Sequence, residues 1–275
     1  MSNQYDLIIE PGKGLKKSWT ELWEYRELLY FLAWKSIIVR YKQTVLGILW
    51  SLIRPFLTMI VFTVIFGNIA KLPSSGVPYP IMVFSGLLAW QFFTSILSSS
   101  SGSIVGSSGM ISKIYFPRLI IPMSTVAISL VDFFISFFML AILMVWFKFV
   151  PPVQILLLPV FVALAVITGL GIGLWLTSLN VKYRDFQQIV PFIVQFGLYL
   201  SPVGFSSSIV PQQWRFLYSL NPMVGVIDGF RWALLGGDYH IYIPGFLASI
   251  FIAIFFLITG IKYFKKTERL FADYI

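Results

Sequence analysis

Apolar residues occur along this chain in six long runs, separated by shorter polar or charged stretches. The runs cover residues 44–70, 80–101, 120–147, 154–178, 188–206 and 243–262. A helix needs about 20 apolar residues to cross the hydrocarbon core of a membrane, and each run meets or approaches that length. The pattern therefore predicts an all-α integral membrane protein with six transmembrane helices.

Residues 15–38, which precede the first run, have the spacing of an amphipathic helix. Apolar residues recur there at helical intervals, namely Trp19, Leu22, Trp23, Leu29 and Ala33. Trp and Tyr suit the headgroup region of a membrane, and the flanking basic residues suit anionic lipid. We interpret the segment as a helix in the membrane interface, with a cytosolic helix docked on a partner as the alternative.

The connection between the second and third runs changes character along its length. Residues 98–109 are rich in Ser and Gly, which favours a flexible connection. The residues that follow, Ile114, Tyr115 and Phe116 among them, are unusually apolar for a loop. Residues 110–118 are therefore predicted to form a short docking element, with a loop on the membrane surface as the alternative.

A segment of mixed polarity, residues 206–237, lies between the fifth and sixth runs. Its charged residues Arg215, Asp228 and Arg231 are incompatible with one continuous lipid-facing helix, although its apolar content is high. We predict two short re-entrant helices that are broken at Asn221-Pro222 and dip part-way into the outer leaflet.

Composition agrees with a lipid environment and excludes several chemistries. Hydrophobic residues make up 58% of the chain and charged residues 11%, whereas soluble domains carry about 25% charged residues. The absence of Cys and the single His, His240, exclude disulfides, thiolate chemistry and multi-histidine metal sites. The sequence also lacks the GxxxxGK[ST], HExxH and GxSxG patterns. We therefore predict no catalytic residue, no metal and no cofactor in this chain.

The basic residues, which give the chain a net charge of +9, indicate orientation rather than a nucleic-acid partner. If the N-terminus is cytoplasmic, six spans place four of the 20 Lys and Arg residues outside, namely Lys71, Lys148, Arg215 and Arg231. The other sixteen then lie inside. This bias predicts that both termini are cytoplasmic.

Polar and small residues inside the apolar runs are further candidates for function. Arg54 in the first run either contacts an anionic headgroup or extends to the membrane surface. Asp132 in the third run is predicted to be hydrogen-bonded between helices, with a role in a transport pathway as the alternative. Gly169 and Gly173 in the fourth run predict close helix packing.

Aromatic residues recur at helical spacing in two of the runs. The two sets are Trp50, Arg54, Thr58 and Phe62 in the first run, and Phe192, Gln195, Phe196 and Tyr199 in the fifth. Such faces suit stacking on sugar rings, although contact with lipid or neighbouring helices is the commoner use of membrane aromatics. In the third run, Phe133 and Phe137 are expected to pack.

Six short strings occur in a set order along nearly the whole chain. They are EYRELL at 24–29, VRYKQTVLG at 39–47, KIYFPR at 113–118, NVKYRD at 180–185, LNPM at 220–223 and GFR at 229–231. Together they resemble the permease subunits of polysaccharide-exporting ABC transporters of the ABC-2 class, a group that includes O-antigen, capsule and teichoic-acid exporters. Each string alone is weak, and their shared order carries the resemblance.

The resemblance implies a homodimer in the bacterial inner membrane that works with two copies of a separate ATP-binding subunit, which binds the ATP and Mg. It implies a glycan on a polyprenyl diphosphate as the substrate. It also implies a pathway at the dimer interface, along spans one and five, lined by Trp50, Arg54, Phe62, Phe192, Phe196 and Tyr199.

Further roles follow from the same resemblance. The expected diphosphate contacts are Arg40, Lys42 and Arg54; the coupling helix is 110–118, with Ile114, Tyr115, Phe116 and Arg118; the gate helices are 207–235, with Trp214, Asn221, Pro222 and Arg231. The expected organisation is a cytoplasmic N-terminus over 1–42 and a transmembrane domain over 43–275, which ends in a tail at 263–275. A membrane-bound glycan-processing enzyme or assembly scaffold is the rival class.

Overall fold

The chain folds into a bundle of helices. The structure, a computed structural model, describes residues 23–42, 47–111, 113–114, 116–183, 185–269 and 271. These ranges contain no strand and ten α-helices: α1 (Arg26–Lys42), α2 (Gly47–Phe62), α3 (Tyr79–Gly106), α4 (Ser108–Ile111), α5 (Ile120–Trp146), α6 (Leu158–Lys182), α7 (Phe186–Leu200), α8 (Gln212–Tyr218), α9 (Pro222–Leu235) and α10 (Ile243–Glu268). A π-helix, Thr63–Ile69, continues α2, and 3-10 helices occupy Val153–Leu157 and Ser207–Ile209. The prediction of an all-α protein is confirmed.

Five of the helical segments are long and apolar enough to cross a membrane. They are Leu49–Ile69, Tyr79–Gly106, Ile120–Trp146, Val153–Lys182 and Ile243–Glu268, and each coincides with a predicted run. Residues 44–46 of the first run lie outside the described residues.

The predicted span at 188–206 corresponds to α7, which has only 15 residues. Its length of about 22 Å is less than the roughly 30 Å of a hydrocarbon core. The helix ends because Pro202 disfavours helical geometry in the residue before it, and Ser201 is indeed extended, with φ −99° and ψ 153°. The residues described thus show five spans of full length and one shorter apolar helix.

The centre of the bundle is α3, which packs against α5, α6 and α9. Its four consecutive residues Ile81, Met82, Val83 and Phe84 are completely buried. A helix that is buried around its whole circumference is surrounded by other helices instead of lipid. The spans α2, α5 and α6 contact it, whereas the span α10 packs on α6 and α9.

The Ser- and Gly-rich run that follows the second predicted span is helical, because α3 continues to Gly106. The prediction of a flexible connection there is wrong. Carbonyl groups at this end of α3 accept hydrogen bonds from α6: Thr177 donates to Ser100 and Asn180 to Ser101, at 2.8 and 3.0 Å. The small residues allow the two helices to approach closely, which explains their abundance in this run.

Glycines give α6 two close-packed faces. A Cβ atom at Gly169 would lie 3.0 Å from Ile96 of α3, and one at Gly173 would lie 2.1 Å from the hydroxyl of Ser100. On another face, a Cβ atom at Gly171 would lie 2.7 Å from the backbone nitrogen of Leu257 in α10. The predicted packing role of Gly169 and Gly173 is confirmed, and Gly171 adds a second contact of the same kind.

Replacing Gly171 by Ala should destabilise the protein by about 1–3 kcal/mol, because the methyl group meets the backbone of α10, which cannot rotate away. Gly102→Ala is the matched control, since nothing lies within 4 Å of that position and Ala is the better helix former. Thermal unfolding in detergent measures both variants. Equal midpoints for the two would contradict the close contact of α6 with α10.

The N-terminal helix α1 packs against α5. Leu32 and Ala33 are buried, whereas Trp23, Tyr30 and Trp34 are more than half exposed. Of the predicted interfacial helix at 15–38, residues 15–22 lie outside the described residues. The described part uses one face to dock on the bundle and leaves an aromatic face uncovered, which suits the headgroup region.

Candidate functional site

A cavity of about 370 Å³ lies among α1, α2, α3, α5 and α7. Polar residues form much of its lining although the surrounding helices are apolar. They are Arg40, Ser51, Arg54, Gln91, Thr94, Ser95, Ser98, Ser99, Asp132 and Ser136. Ionisable groups within a membrane bundle mark substrate or ion pathways, so this cavity is the candidate functional site.

Two arginines give the cavity its positive charge. Arg40 lies in the last turn of α1, and Arg54 lies in α2 with its guanidinium 5.9 Å from the centre of the Trp50 ring. Both were predicted as diphosphate contacts, and the structure brings them to one cavity. Lys42, the third predicted contact, ends α1 and is absent from the lining.

Asp132 of α5 joins three helices at the same place. Its Oδ2 atom lies 2.8 Å from Nη2 of Arg40. Its Oδ1 atom accepts hydrogen bonds from the hydroxyls of Tyr41 in α1 and Ser51 in α2, at 2.5 and 3.1 Å. The predicted hydrogen bonding of Asp132 between helices is confirmed. Burial and the bond to Asp132 raise the pKa of the Tyr41 hydroxyl to about 12.

The wall formed by α3 presents hydrogen-bonding side chains along one helical face. They recur at i, i+3, i+4, i+7 and i+8: Gln91, Thr94, Ser95, Ser98 and Ser99. Ser95 bonds to Ser129 of α5 at 2.9 Å. Within the part of the chain that the structure describes, the side chains of Gln91, Ser98 and Ser99 bond to no other residue. Sequence reasoning missed this wall, although its spacing was the signal that would have revealed it.

The aromatic residues of α7 form an exposed face. Phe192, Phe196 and Tyr199 are each more than half exposed, and the centres of the first two rings are 4.1 Å apart. Trp50 of α2 is also half exposed, and it lines the cavity. Phe62, in contrast, is buried 5.3 Å from the ring of Phe66. The stripe on α2 therefore runs from the surface into the core, where the ring of Phe62 lies 6.2 Å from the ring of Tyr199 on α7.

The segment predicted as gate helices contains α8 and α9, and the predicted break at Asn221-Pro222 is confirmed. The Asn221 side chain caps α9 by accepting a hydrogen bond from the backbone N–H of Met223 at 3.0 Å, and Pro222 occupies the first turn. The side-chain amide nitrogen of Asn221 also donates to the hydroxyl of Ser201, just after α7, at 3.0 Å. Trp214 of α8 is half exposed.

Arg231 of α9 is only 1% exposed and holds the segment that follows α7. Its Nη1 and Nη2 atoms donate to the backbone carbonyls of Phe205 and Val203, at 2.6 and 2.8 Å. Gly86 of α3 leaves room for this side chain, since a Cβ atom there would lie 3.0 Å from Nη2. Arg231 thus connects α9 to the non-helical end of the short span.

The segment predicted to couple to an ATPase, residues 110–118, begins in the four-residue helix α4, and its described residues 113, 114 and 116–118 are not helical. Ile114 is 62% exposed, whereas Phe116 is buried, and Tyr115 lies outside the described residues. The backbone N–H of Arg118 donates to the Glu268 side chain at 2.9 Å, and its guanidinium donates to the Glu268 carbonyl. Of the described residues in the predicted patch, Ile114 is available for docking, while Phe116 and Arg118 attach the loop to the bundle.

A second hydrophobic cluster holds that loop in place. It joins the helices α1, α3, α4, α5, α6 and α10 to the loop through Leu32, Ile104, Ile111, Phe116, Leu119, Ile120, Ile121, Leu174, Val181, Phe264 and Phe271. Because these helices and the loop share one tightly packed cluster, the loop can move only if the helices that it contacts move with it.

Together, the long apolar helices and the charged cavity among them define a polytopic membrane protein with a polar site inside its bundle. The chain belongs to the ABC-2 type transporter family, whose sequence profile matches residues 27–235. As a member of that family, the chain is a membrane permease.

Individual relatives are similar over most of their length. An O-antigen export system permease protein RfbA of Klebsiella pneumoniae is 26% identical, over 90% of this chain and 94% of that protein. The RfbA protein of Myxococcus xanthus is 28% identical, over 77% and 81%. The polysialic acid transport protein KpsM of Escherichia coli is 25% identical, over 86% and 91%.

Proposed function

We propose that this chain is the membrane subunit of an ATP-driven exporter that moves a polyprenyl-diphosphate-linked polysaccharide across the bacterial inner membrane. The observation that carries the proposal is the charged cavity, which combines Arg40, Arg54 and a hydrogen-bonding wall inside an apolar bundle. The relatives named for O-antigen and polysialic acid transport support the glycan as cargo. ATP and Mg bind a separate subunit, present in two copies, and this chain contributes no catalytic residue.

The cavity matches the junction between a lipid diphosphate and its first sugar. The planar guanidinium group of arginine binds phosphate oxygens through charge-assisted, bidentate hydrogen bonds. Arg40 and Arg54 are therefore suited to binding the diphosphate. Gln91, Ser98 and Ser99 on α3 supply donors and acceptors for sugar hydroxyls. The ring of Trp50 beside Arg54 adds a flat apolar surface for a sugar face.

Exposure of α2 and α7 supports a homodimer in which these helices meet their copies along the pathway. The span Leu49–Ile69 is the least buried of the five long spans. Leu57 and Val61 of α2 and Phe192, Phe196 and Tyr199 of α7 are at least half exposed in the single chain. A second copy would cover part of this surface, and the aromatic rings would then border a path for the glycan.

The sixth crossing is formed, in this proposal, by α7 together with residues 201–206, where Arg231 donates to the carbonyls of Val203 and Phe205 and Tyr79 donates to that of Gly204. Irregular backbone at membrane depth requires such internal partners. The helices α8 and α9 are the re-entrant pair on the outer side. Both termini are then cytoplasmic, as the distribution of basic residues predicts.

Introduced cysteines test this topology cleanly, because the wild-type chain contains none. Gln213 in α8 and Lys266 in α10 are exposed positions. A membrane-impermeant maleimide should label Gln213→Cys in intact cells and should label Lys266→Cys only after the inner membrane is opened. Labelling of Lys266→Cys in intact cells would show that the C-terminal end of α10 is outside.

The function is tested by co-expression with an ATP-binding subunit of this transporter type and purification through a tag on this chain. The complex in proteoliposomes should hydrolyse ATP faster when lipid-linked glycan is supplied, and should move that glycan across the bilayer. Glycan processing by this chain in the absence of any ATP-binding subunit would favour the rival class of enzyme or scaffold.

The same preparation tests the coupling role of Ile114. Ile114→Asp should reduce recovery of the complex or its glycan-stimulated ATP hydrolysis about tenfold, since an exposed apolar anchor at an interface centre contributes roughly 1–2 kcal/mol. Ile69→Asp is the matched control, because Ile69 is 73% exposed at the far end of the first span. Equal behaviour of the two variants would remove Ile114 from the coupling surface. Phe116→Asp cannot serve here, since it would place a charge in the second hydrophobic cluster.

A further inference from the structure

Asp132 is a charged residue near the middle of the 27-residue apolar helix α5, where membrane-spanning helices rarely carry one. It follows Ile120, the first residue of α5, by twelve positions, which corresponds to about 18 Å along the helix axis. Its side chain is 16% exposed and lines the cavity. An amide would also accept hydrogen bonds from Tyr41 and Ser51, so these bonds do not by themselves require a carboxylate.

The partners of Asp132 resemble those of a bound phosphate group. One oxygen meets the guanidinium of Arg40 at 2.8 Å, and the other accepts from the hydroxyls of Tyr41 and Ser51. Phosphate oxygens are bound in proteins by the same set of arginine and hydroxyl donors. The Arg40 side chain is 43% exposed, so its guanidinium contacts Asp132 while remaining accessible from the cavity.

We propose that Asp132 is an internal counter-ion that pairs with Arg40 while the cavity holds no anion and competes with the anionic group of the substrate afterwards. The proposal rests on the proposed function, in which this cavity takes the lipid diphosphate. A diphosphate carries at least two negative charges and can attract Arg40 and Arg54 together, whereas one carboxylate neutralises one of them. The diphosphate therefore wins the competition, and a single phosphate has a smaller advantage.

Competition by Asp132 also serves release. A transport site has to bind its cargo firmly enough for entry and weakly enough for exit. When the diphosphate leaves, Asp132 restores the charge balance of Arg40 within the apolar bundle. The bonds from Tyr41 and Ser51 keep the carboxylate in place throughout, so α1 and α5 stay attached while Arg40 exchanges partners.

Asp132→Asn separates this role from simple positioning. We expect the purified variant to bind farnesyl diphosphate about three- to tenfold more tightly than the wild type in isothermal titration calorimetry, because the amide keeps the hydrogen bonds and removes the competing charge. Tyr41→Phe is the matched control: it removes one bond to the same carboxylate and leaves the charge, so its affinity should not rise. Weaker or unchanged binding by Asp132→Asn would overturn the proposal.

A measurement on the wild type keeps the test decisive if Asp132→Asn fails to fold. Farnesyl monophosphate should bind at least about tenfold more weakly than farnesyl diphosphate, and equal affinities would overturn the counter-ion role. Arg54→Gln tests the underlying site separately, since it should weaken diphosphate binding. If the wild type binds neither lipid, both the diphosphate site and the counter-ion role of Asp132 are rejected. If Arg54→Gln weakens diphosphate binding but Asp132→Asn does not tighten it, the counter-ion role of Asp132 is rejected and the diphosphate site is retained.

Discussion

Arg231→Leu should lower the free energy of unfolding by about 2–5 kcal/mol, the largest stability effect expected from a single side chain here. The substitution leaves the carbonyls of Val203 and Phe205 without their donors, in a region where Arg231 itself is 1% exposed. Each lost charge-assisted hydrogen bond costs about 1.5–3 kcal/mol, and relief of the buried charge offsets part of the sum. Thermal unfolding of the detergent-solubilised protein measures the loss.

Two further variants test whether the paired hydrogen bonds of the Arg231 guanidinium cause this loss of stability. Arg231→Lys should restore little stability, because one ammonium group cannot reproduce the two-armed contact of the guanidinium. Arg215→Leu makes the same change in α8, where the side chain is partly exposed and donates one bond to the Ser208 carbonyl at 3.1 Å. We expect a smaller loss for it. An Arg231→Leu variant as stable as the wild type would show that the segment after α7 holds its shape by other contacts.

Replacing Phe192, Phe196 and Tyr199 together by Leu should reduce glycan export at least about tenfold while membrane insertion and assembly persist. Leu keeps the hydrophobicity of the exposed α7 face and removes the flat rings on which sugars stack. Stacking contributes roughly 0.5–1.5 kcal/mol per ring, so three rings together account for a loss of this size. Export is measured by transport of labelled glycan into proteoliposomes that contain the ATP-binding subunit.

The control for this experiment lies on α10, where Phe251 and Phe255 are as exposed as the rings of α7. The double Leu variant there should export normally, because α10 has no part in the cavity. Phe133 and Phe137 are less suitable: Phe133 packs as expected, but it is buried and borders the cavity, and Phe137 packs against the core. Equal tolerance on α7 and α10 would mean that the α7 aromatics face lipid.

Several features of this protein follow from local sequence alone. Long apolar runs determined the five full-length spans, because the transfer of about 20 apolar residues into lipid is favourable whatever their neighbours are. The break before α9 is equally local, since Asn221 caps the next turn and Pro222 fits only its start. Gly169 and Gly173 predicted close helix packing, because small residues four positions apart lie on one face of a helix.

Tertiary structure decided the features that depend on distant partners. The Ser- and Gly-rich end of α3 has the composition of a flexible connection, and it is helical because Thr177 and Asn180 of α6 bond to it. Phe116 has the apolar character of a docking residue, and it is buried because it shares a hydrophobic cluster with residues of α1, α6 and α10.

The charged cavity depends on tertiary structure most of all. Asp132 and Tyr41 are separated by 91 positions in the chain, and no local pattern specifies which partners a carboxylate inside a helix bundle will meet. The two residues face each other because α1 docks on α5, and that packing is determined by the shapes of apolar surfaces along both helices. Local sequence thus determined which segments enter the membrane, whereas helix packing decided which polar side chains share a cavity there.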